Sequence, residues 1–504
     1  TPNIDTLAAE GVRYTRVFTT AGVCAPSRAA LMTGQHQISF GGQHMRSSTG
    51  PLGKYYAQPG PRVKAFPEIM RRHGYFTFTD GKLDYQFSGI RAGSGPFTIW
   101  DREGVDYTAW RERAEGQPFF GMVNFLQTHE SGVMRVDVEA HSPAHAATQK
   151  MRVGRGLVAP TVTDPEKVKL PPYYPDLPEV RTDLARHYDN IRRMDEQVGE
   201  ILAALRKDSL WDNTIVIWTT DHGDGLPRAK RELYDSGINV PLILHIPPKL
   251  RQARKEWQAL QKAQNGKLIS FIDLAPTLLE FAGIKLPSFL HGTSFITSQR
   301  EHILASRDRI DAVMDRQRAL RDDNFKYIRS WHPNTPGGHK LAYRDNLDMA
   351  RAWRAAYEAG ELSNPDHRRW FEPAGKEQLY DVRKDPHELK NLANDLAYQE
   401  VLVSMRDTLL FQLEYFRDMS EMEESQQMTF FLKNGRVPMT PAPKWRIDKE
   451  QIWLKSDVGA SIGYRSPGET HWRLYTESLS ISVKPIEVKA VRYGWLESAV
   501  IAVE

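Results

Sequence analysis

The sequence predicts an α/β protein: a sheet covered by helices on both faces, then a smaller α+β unit and a short all-β tail. Three observations predict it. Over the first two-thirds, short apolar runs alternate with patterns of helical period. Polar clusters sit just past the carboxyl ends of those runs, where open α/β sheets place their sites. Beyond residue 306, and again beyond 451, the texture changes to a mixed unit and then to two-residue alternation.

Taken in order, 3-NIDTLAAEG-11 reads as a helix closed by Gly11, and 75-YFTFTDGK-82 as a strand running into a loop. A buried strand is expected over 119–130 and a long amphipathic helix over 183–207. Strand-like 215-IVIWTTDHGD-224 leads into a loop, and 240-VPLILHIP-247 is a further strand. Short apolar runs separated by helices suggest parallel strands with crossovers. Domains are expected at 1–305 (the main α/β domain), 306–418 (the α+β unit, with strand 324–333 and helices over 343–360 and up to 418), 419–450 (a polar, Pro-containing linker) and 451–504 (a small β module).

With 504 residues the chain is long enough for two or three cores, and its 40% hydrophobic residues can fill them. No run approaches the roughly eighteen apolar residues of a membrane helix; the best, 271-FIDLAPTLLEFAGI-284, is short and carries Asp273 and Glu280. Lys+Arg 67 against Asp+Glu 63 gives a net charge of +4. That excess suits an anionic substrate, but the basic residues are scattered, which argues against nucleic acid. The single cysteine, Cys24, excludes an internal disulfide. It reads either as a small buried hydrophobe or as a thiolate beside Arg28, although no local histidine serves as its base.

The clusters that end the apolar runs are Asp80-Gly81-Lys82, Thr128-His129-Glu130 and Asp221-His222-Gly223-Asp224. Their common placement points to one composite site of acids, lysines and histidines.

Cys24-Ala25-Pro26-Ser27-Arg28, continued by Leu31, Thr33 and Gly34, resembles the signature of the formylglycine-dependent sulfatases, of the alkaline-phosphatase superfamily. The resemblance covers roughly residues 1–418 and is nearest to the branch of heparan N-sulfatases (sulfamidases) and bacterial polysaccharide sulfatases. It implies an alkaline-phosphatase-like mixed sheet sandwiched by helices, and a sulfate ester or sulfamate on a saccharide as substrate. It also implies that a formylglycine-generating or anaerobic sulfatase-maturing enzyme oxidises Cys24 to 3-oxoalanine (formylglycine), whose hydrate is the nucleophile. One hydroxyl of a geminal diol attacks sulfur and deprotonation of the other expels the sulfate, dividing the hydrolysis into two easier steps. The negative oxygens need a divalent cation, Ca²⁺ by resemblance, and fixed cations around them.

Residue by residue, Asp221 and His222 match the metal ligands, joined by the oxidised Cys24; a helix-start Asp with a surface His is the alternative. Lys82 and Lys230 match the lysines that hold the sulfate, with an exposed loop lysine as the rival reading of Lys230. His129 matches the histidine that bonds and can protonate the leaving oxygen, and Arg28 belongs to the signature. Asp84 stands where the family pattern has a histidine base, so it is either the base or a structural residue. His36 and His44 line the substrate pocket or belong to surface loops, and His339 would approach from the smaller domain. The family also carries two adjacent Asp ligands on a first strand that precedes the segment resembling Thr1–Gly11, so an N-terminally truncated fragment is expected. The expected setting is the periplasm or the outside of a bacterial cell. Two other readings remain: a formylglycine-dependent phosphodiesterase or phosphonate monoester hydrolase, and an inactive glycan-binding homologue.

Overall fold

The computed structural model describes residues 1–47, 50–252, 254–262 and 266–504. They form two compact units that interleave along the chain: residues 1–23, 125–270 and 299–413, and residues 24–124, 271–298 and 414–504. The sequence divisions at 305/306 and 418/419 thus fall inside units, because each unit gathers segments that are distant in the chain.

The first unit is built on a four-stranded sheet in the order Val216–Thr219, Asn239–His245, Val12–Phe18, Ile269–Ser270. Its first two contacts are antiparallel and its last is parallel. The expectation of parallel strands therefore holds for one of these three contacts. Residues 219 to 239 carry only the four-residue helix Asp235–Ile238, so no crossover helix forms there and the next strand returns alongside. Helix Pro2–Glu10 and the 30-residue helix Pro178–Lys207 supply Ile4, Leu7, Met194, Val198 and Leu202, which pack with Ile243. A second sheet, antiparallel throughout, runs Glu377–Asp381, Phe325–Ser330, Gln317–Arg321, Ile303–Arg307. Its Ile303, Ala319, Ile328 and Tyr380 share a core with Phe18 and Ile238.

The second unit carries helices Cys24–Thr33, Phe66–Arg72 and Leu274–Phe281 beside a parallel sheet in the order Arg102–Glu103, Phe76–Thr79, Phe119–Met122. Met32, Phe66, Met70, Trp100 and Leu279 fill its core. The tail is all β, in the sheets Lys444–Asp448, Gln451–Lys455, Leu479–Ser480 and Arg473–Leu474, Ser461–Arg465, Ile486–Val491, Ile501–Val503. It is sewn to the rest of its unit. Fully buried Glu68 accepts hydrogen bonds from Thr98 (2.7 Å), Ser461 (2.5 Å) and Tyr493 (2.6 Å), and from Arg72 (2.9 Å). The expected linker over 419–450 holds ordered structure, the helix Glu424–Phe431 and the strand Lys444–Asp448. Among the described residues no helix is long and apolar enough to cross a membrane.

Candidate active site

The residues singled out by sequence divide between the units. Cys24, Arg28, Lys82, Asp84, His36 and His44 lie in the second, while His129, Asp221, His222, Lys230 and His339 lie in the first.

Cys24 opens a ten-residue helix and is 1% exposed. The N-terminus of a helix presents amide donors and the positive end of its dipole, which favours a negative oxygen there. Arg28 follows one turn later on the same face, 4% exposed, with its guanidinium 5.8 Å from the centre of the Tyr85 ring. Its Nη2 donates to the Lys82 carbonyl at 3.1 Å, so the signature helix and the Asp80–Lys82 loop are tied together. Gly34 stops the helix at φ 63, where an added Cβ would meet Leu290 at 2.5 Å.

Asp84 is 2% exposed and accepts three bonds from Arg46: Nε at 2.9 and 3.1 Å, Nη2 at 2.7 Å. Both oxygens are thus engaged by one guanidinium, from a residue 38 positions away in the chain. His36 and His44 are 1% and 2% exposed, which removes the surface-loop alternative. The His36 ring lies 5.5 Å from Phe416, and His44 Nδ1 is 3.8 Å from Glu424 Oε2.

In the first unit the strand Val216–Thr219 delivers Asp221 and His222 into a tight loop. Gly223 is required there, since a Cβ would meet the Ser236 carbonyl oxygen at 1.9 Å. His222 Nδ1 lies 2.7 Å from the Gly223 carbonyl and donates to it, which leaves the lone pair on Nε2. That nitrogen is 3.6 Å from Asp221 Oδ1. An imidazole with its second nitrogen anchored to a carbonyl, converging with a carboxylate, is the donor chemistry a divalent cation takes. The pair fits the role assigned to it.

His129 is fixed differently. Its Nδ1 accepts the Ser131 backbone N–H at 3.2 Å and lies 2.9 Å from Ser131 Oγ. The neutral ring therefore carries its proton on Nε2, as a donor. The next residue, Glu130, is 1% exposed and receives Arg231 bidentately at 2.7 and 2.9 Å. Lys230 Nζ lies 3.3 Å from the same carboxylate and is 3% exposed, so it is a buried ammonium and not a loop lysine in solvent. Burial pushes the Glu130 carboxyl up, but Arg231 and Lys230 outweigh it and hold it at about 2. Arg228 and Arg231 adopt left-handed φ of 58° and 79°, so the backbone on both sides of Lys230 is strained. His339 is half-buried, with Nδ1 2.8 Å from the Pro336 carbonyl. Burial, and then the Arg307 charge, lower its pKa. Glu130, Ser131 and Arg231 went unassigned by sequence; adjacency to His129 and Lys230 was the signal for all three.

The mixed α/β architecture is of the alkaline-phosphatase-like kind found in solved sulfatase structures. The family model described as Sulfatase matches residues 1–284, and the chain belongs to the sulfatase family, making it a sulfuric ester hydrolase. An ulvan-active sulfatase of Formosa agariphila is 34% identical over 535 residues, spanning 100% of this chain and 87% of its own length. The N-sulphoglucosamine sulphohydrolase of Homo sapiens is 25% identical, with 81% and 84% covered. A protein solved in complex with its substrate D-glucosamine-2-N,6-O-disulfate superposes with a TM-score of 0.53 at 15% identity, covering 83% of this chain and 93% of that one. The phosphonate monoester hydrolase of Agrobacterium radiobacter gives 0.51 at 18% identity, covering 83% and 92%. Both likenesses concern the fold.

Proposed function

We propose that the protein releases sulfate from a sulfated saccharide, with a nucleophile made from Cys24. The observation that carries this reading is that Glu130 anchors the buried ammonium of Lys230 at 3.3 Å while the residue before it, His129, presents its proton on Nε2. A sugar alkoxide is a poor leaving group. Its departure needs a proton donor and a cation, and this pair supplies both chemistries. The saccharide class rests on the relatives that act on ulvan and N-sulphoglucosamine.

When present, the hydrated aldehyde supplies the attacking oxygen and the cation, Ca²⁺ by family resemblance, polarises the sulfate. Asp221 Oδ1 and His222 Nε2 would hold that cation. Lys82 and Lys230 bind sulfate oxygens, and the Arg28 charge adds to the positive field at the start of its helix. His129 hydrogen-bonds the saccharide oxygen through Nε2–H, and in its imidazolium form, with Nδ1–H donating to Ser131 Oγ 2.9 Å away, it gives up the Nε2 proton as the S–O bond breaks and returns to the neutral ring. Asp84 is the proposed acceptor for the proton released next. Since Arg46 occupies both its oxygens, proton uptake there would have to displace one of those bonds.

The test is co-expression with a formylglycine-generating enzyme, followed by mass analysis of tryptic peptide 17–28. Sulfate release is then assayed on sulfated saccharides beside a phosphodiester and a phosphonate monoester. Aldehyde at position 24 with sulfate release supports the reading. An aldehyde with turnover of phosphonate alone transfers it to the phosphonate hydrolase class. An unconverted thiol, while a control sulfatase is converted in the same cells, refutes it.

A further inference from the structure

The chain carries 12 tryptophans, and the two that are exposed, Trp445 and Trp453 at 43% each, sit on one hairpin. The hairpin joins Lys444–Asp448 to Gln451–Lys455 through Lys449 and Glu450, both left-handed at φ 48° and 60°. Two left-handed residues make the mirror-image turn that matches strand twist and locks the register. That register pairs Lys444 with Lys455, Arg446 with Trp453 and Asp448 with Gln451. Opposed residues share a face. The inward face carries Ile452 and Leu454, which are 0% and 7% exposed and belong to the core of the tail. The outward face therefore carries Lys444, Arg446, Trp453 and Lys455, with Asp448 as its acid at the turn.

Exposed tryptophan is costly, and a rigid strand that holds one outward among three cations is a surface awaiting a partner. Arg446 lies 5.8 Å from the Trp453 ring, and Lys444 shares its charge with Asp457. We propose that this face docks a sulfated polysaccharide, with the Trp453 ring on the flat side of a sugar and Arg446 and Lys455 on its sulfates. The cations choose an anionic polymer over a neutral one. On this face Trp453 is one ring between cations, while the exposed Trp445 and Ile447 lie on the other face, opposite Leu454 and Ile452, so the face presents no apolar stripe to a bilayer and a lipid surface is set aside. The inference builds on the saccharide reading above and extends it: the chain would grip its polymer at a place other than the scissile group.

The experiment is affinity electrophoresis of the full chain carrying Cys24→Ala, through gels containing dextran sulfate or neutral dextran. Retardation by dextran sulfate alone is expected, lost in high salt as surface charges are screened. Trp453→Ala should weaken it about tenfold and Trp453→Phe should largely preserve it. Arg446→Gln with Lys455→Gln should weaken it and flatten its salt dependence. Equal retardation of wild type and Trp453→Ala overturns the proposal. So does retardation by neutral dextran, or binding to phosphatidylglycerol vesicles in preference to the polymer. Placed in the chain with Cys24 intact, these hairpin substitutions should leave nitrophenyl sulfate turnover unchanged. If no sulfate is ever released while the retardation behaves as stated, the catalytic reading falls and the docking face stands.

Discussion

Glu130 neutralises two buried cations, and Glu130→Gln would remove the charge while keeping the shape. The carboxyl is held at about 2 against an ordinary 4.5. At 1.36 kcal/mol per pH unit, that difference is worth on the order of 3 kcal/mol at pH 7. The figure agrees with the loss of roughly 3–5 kcal/mol that follows removal of one partner from a buried ion pair. Because the folded pKa is depressed, the contribution is complete above about 4.5 and disappears as pH falls through about 2. The same relation leaves less than half of it at pH 3. The assay is thermal unfolding of both proteins at pH 7 and pH 3. A deficit of several degrees for Glu130→Gln should narrow to less than half of itself at the lower pH. At pH 7 sulfate release should also drop, since Lys230 loses its anchor at 3.3 Å. A deficit of equal size at both pH values would refute the electrostatic account, and no deficit at pH 7 would refute the burial itself.

Two further outcomes are expected. His129→Gln should cut kcat on a saccharide sulfate by about 10²- to 10⁴-fold while sparing nitrophenyl sulfate, whose leaving group needs no proton; equal losses on both would remove His129 as the donor. Glu68 is held at about 2, burial raising it but Lys64, Arg72 and the hydroxyls of Ser461 and Tyr493 outweighing that, so Glu68→Gln should loosen the tail and speed proteolysis beyond residue 440 at pH 7. As with Glu130, the wild-type advantage should fade between about pH 4.5 and 2, and a tail that stays as resistant as wild type would sink the assignment.

Local periodicity and local chemistry were legible in the sequence. The helix over 183–207 appears within Pro178–Lys207, and the strands at 76–79, 216–219 and 325–330 lie inside the predicted segments, because a repeat of 3.6 or 2 is written in neighbouring residues. The Cys24 signature was legible for the same reason, being a short run, and the family model confirms the membership it implied. The order inside the sheets was not, since alternation records which face is buried and says nothing of which way the neighbouring strand runs. Asp84 shows the limit most plainly. Its meaning depends on Arg46, 38 residues away, and that of Glu130 on Arg231, 101 residues away. A buried charge is tolerable only beside its partner, and only the tertiary structure decided which partner that is.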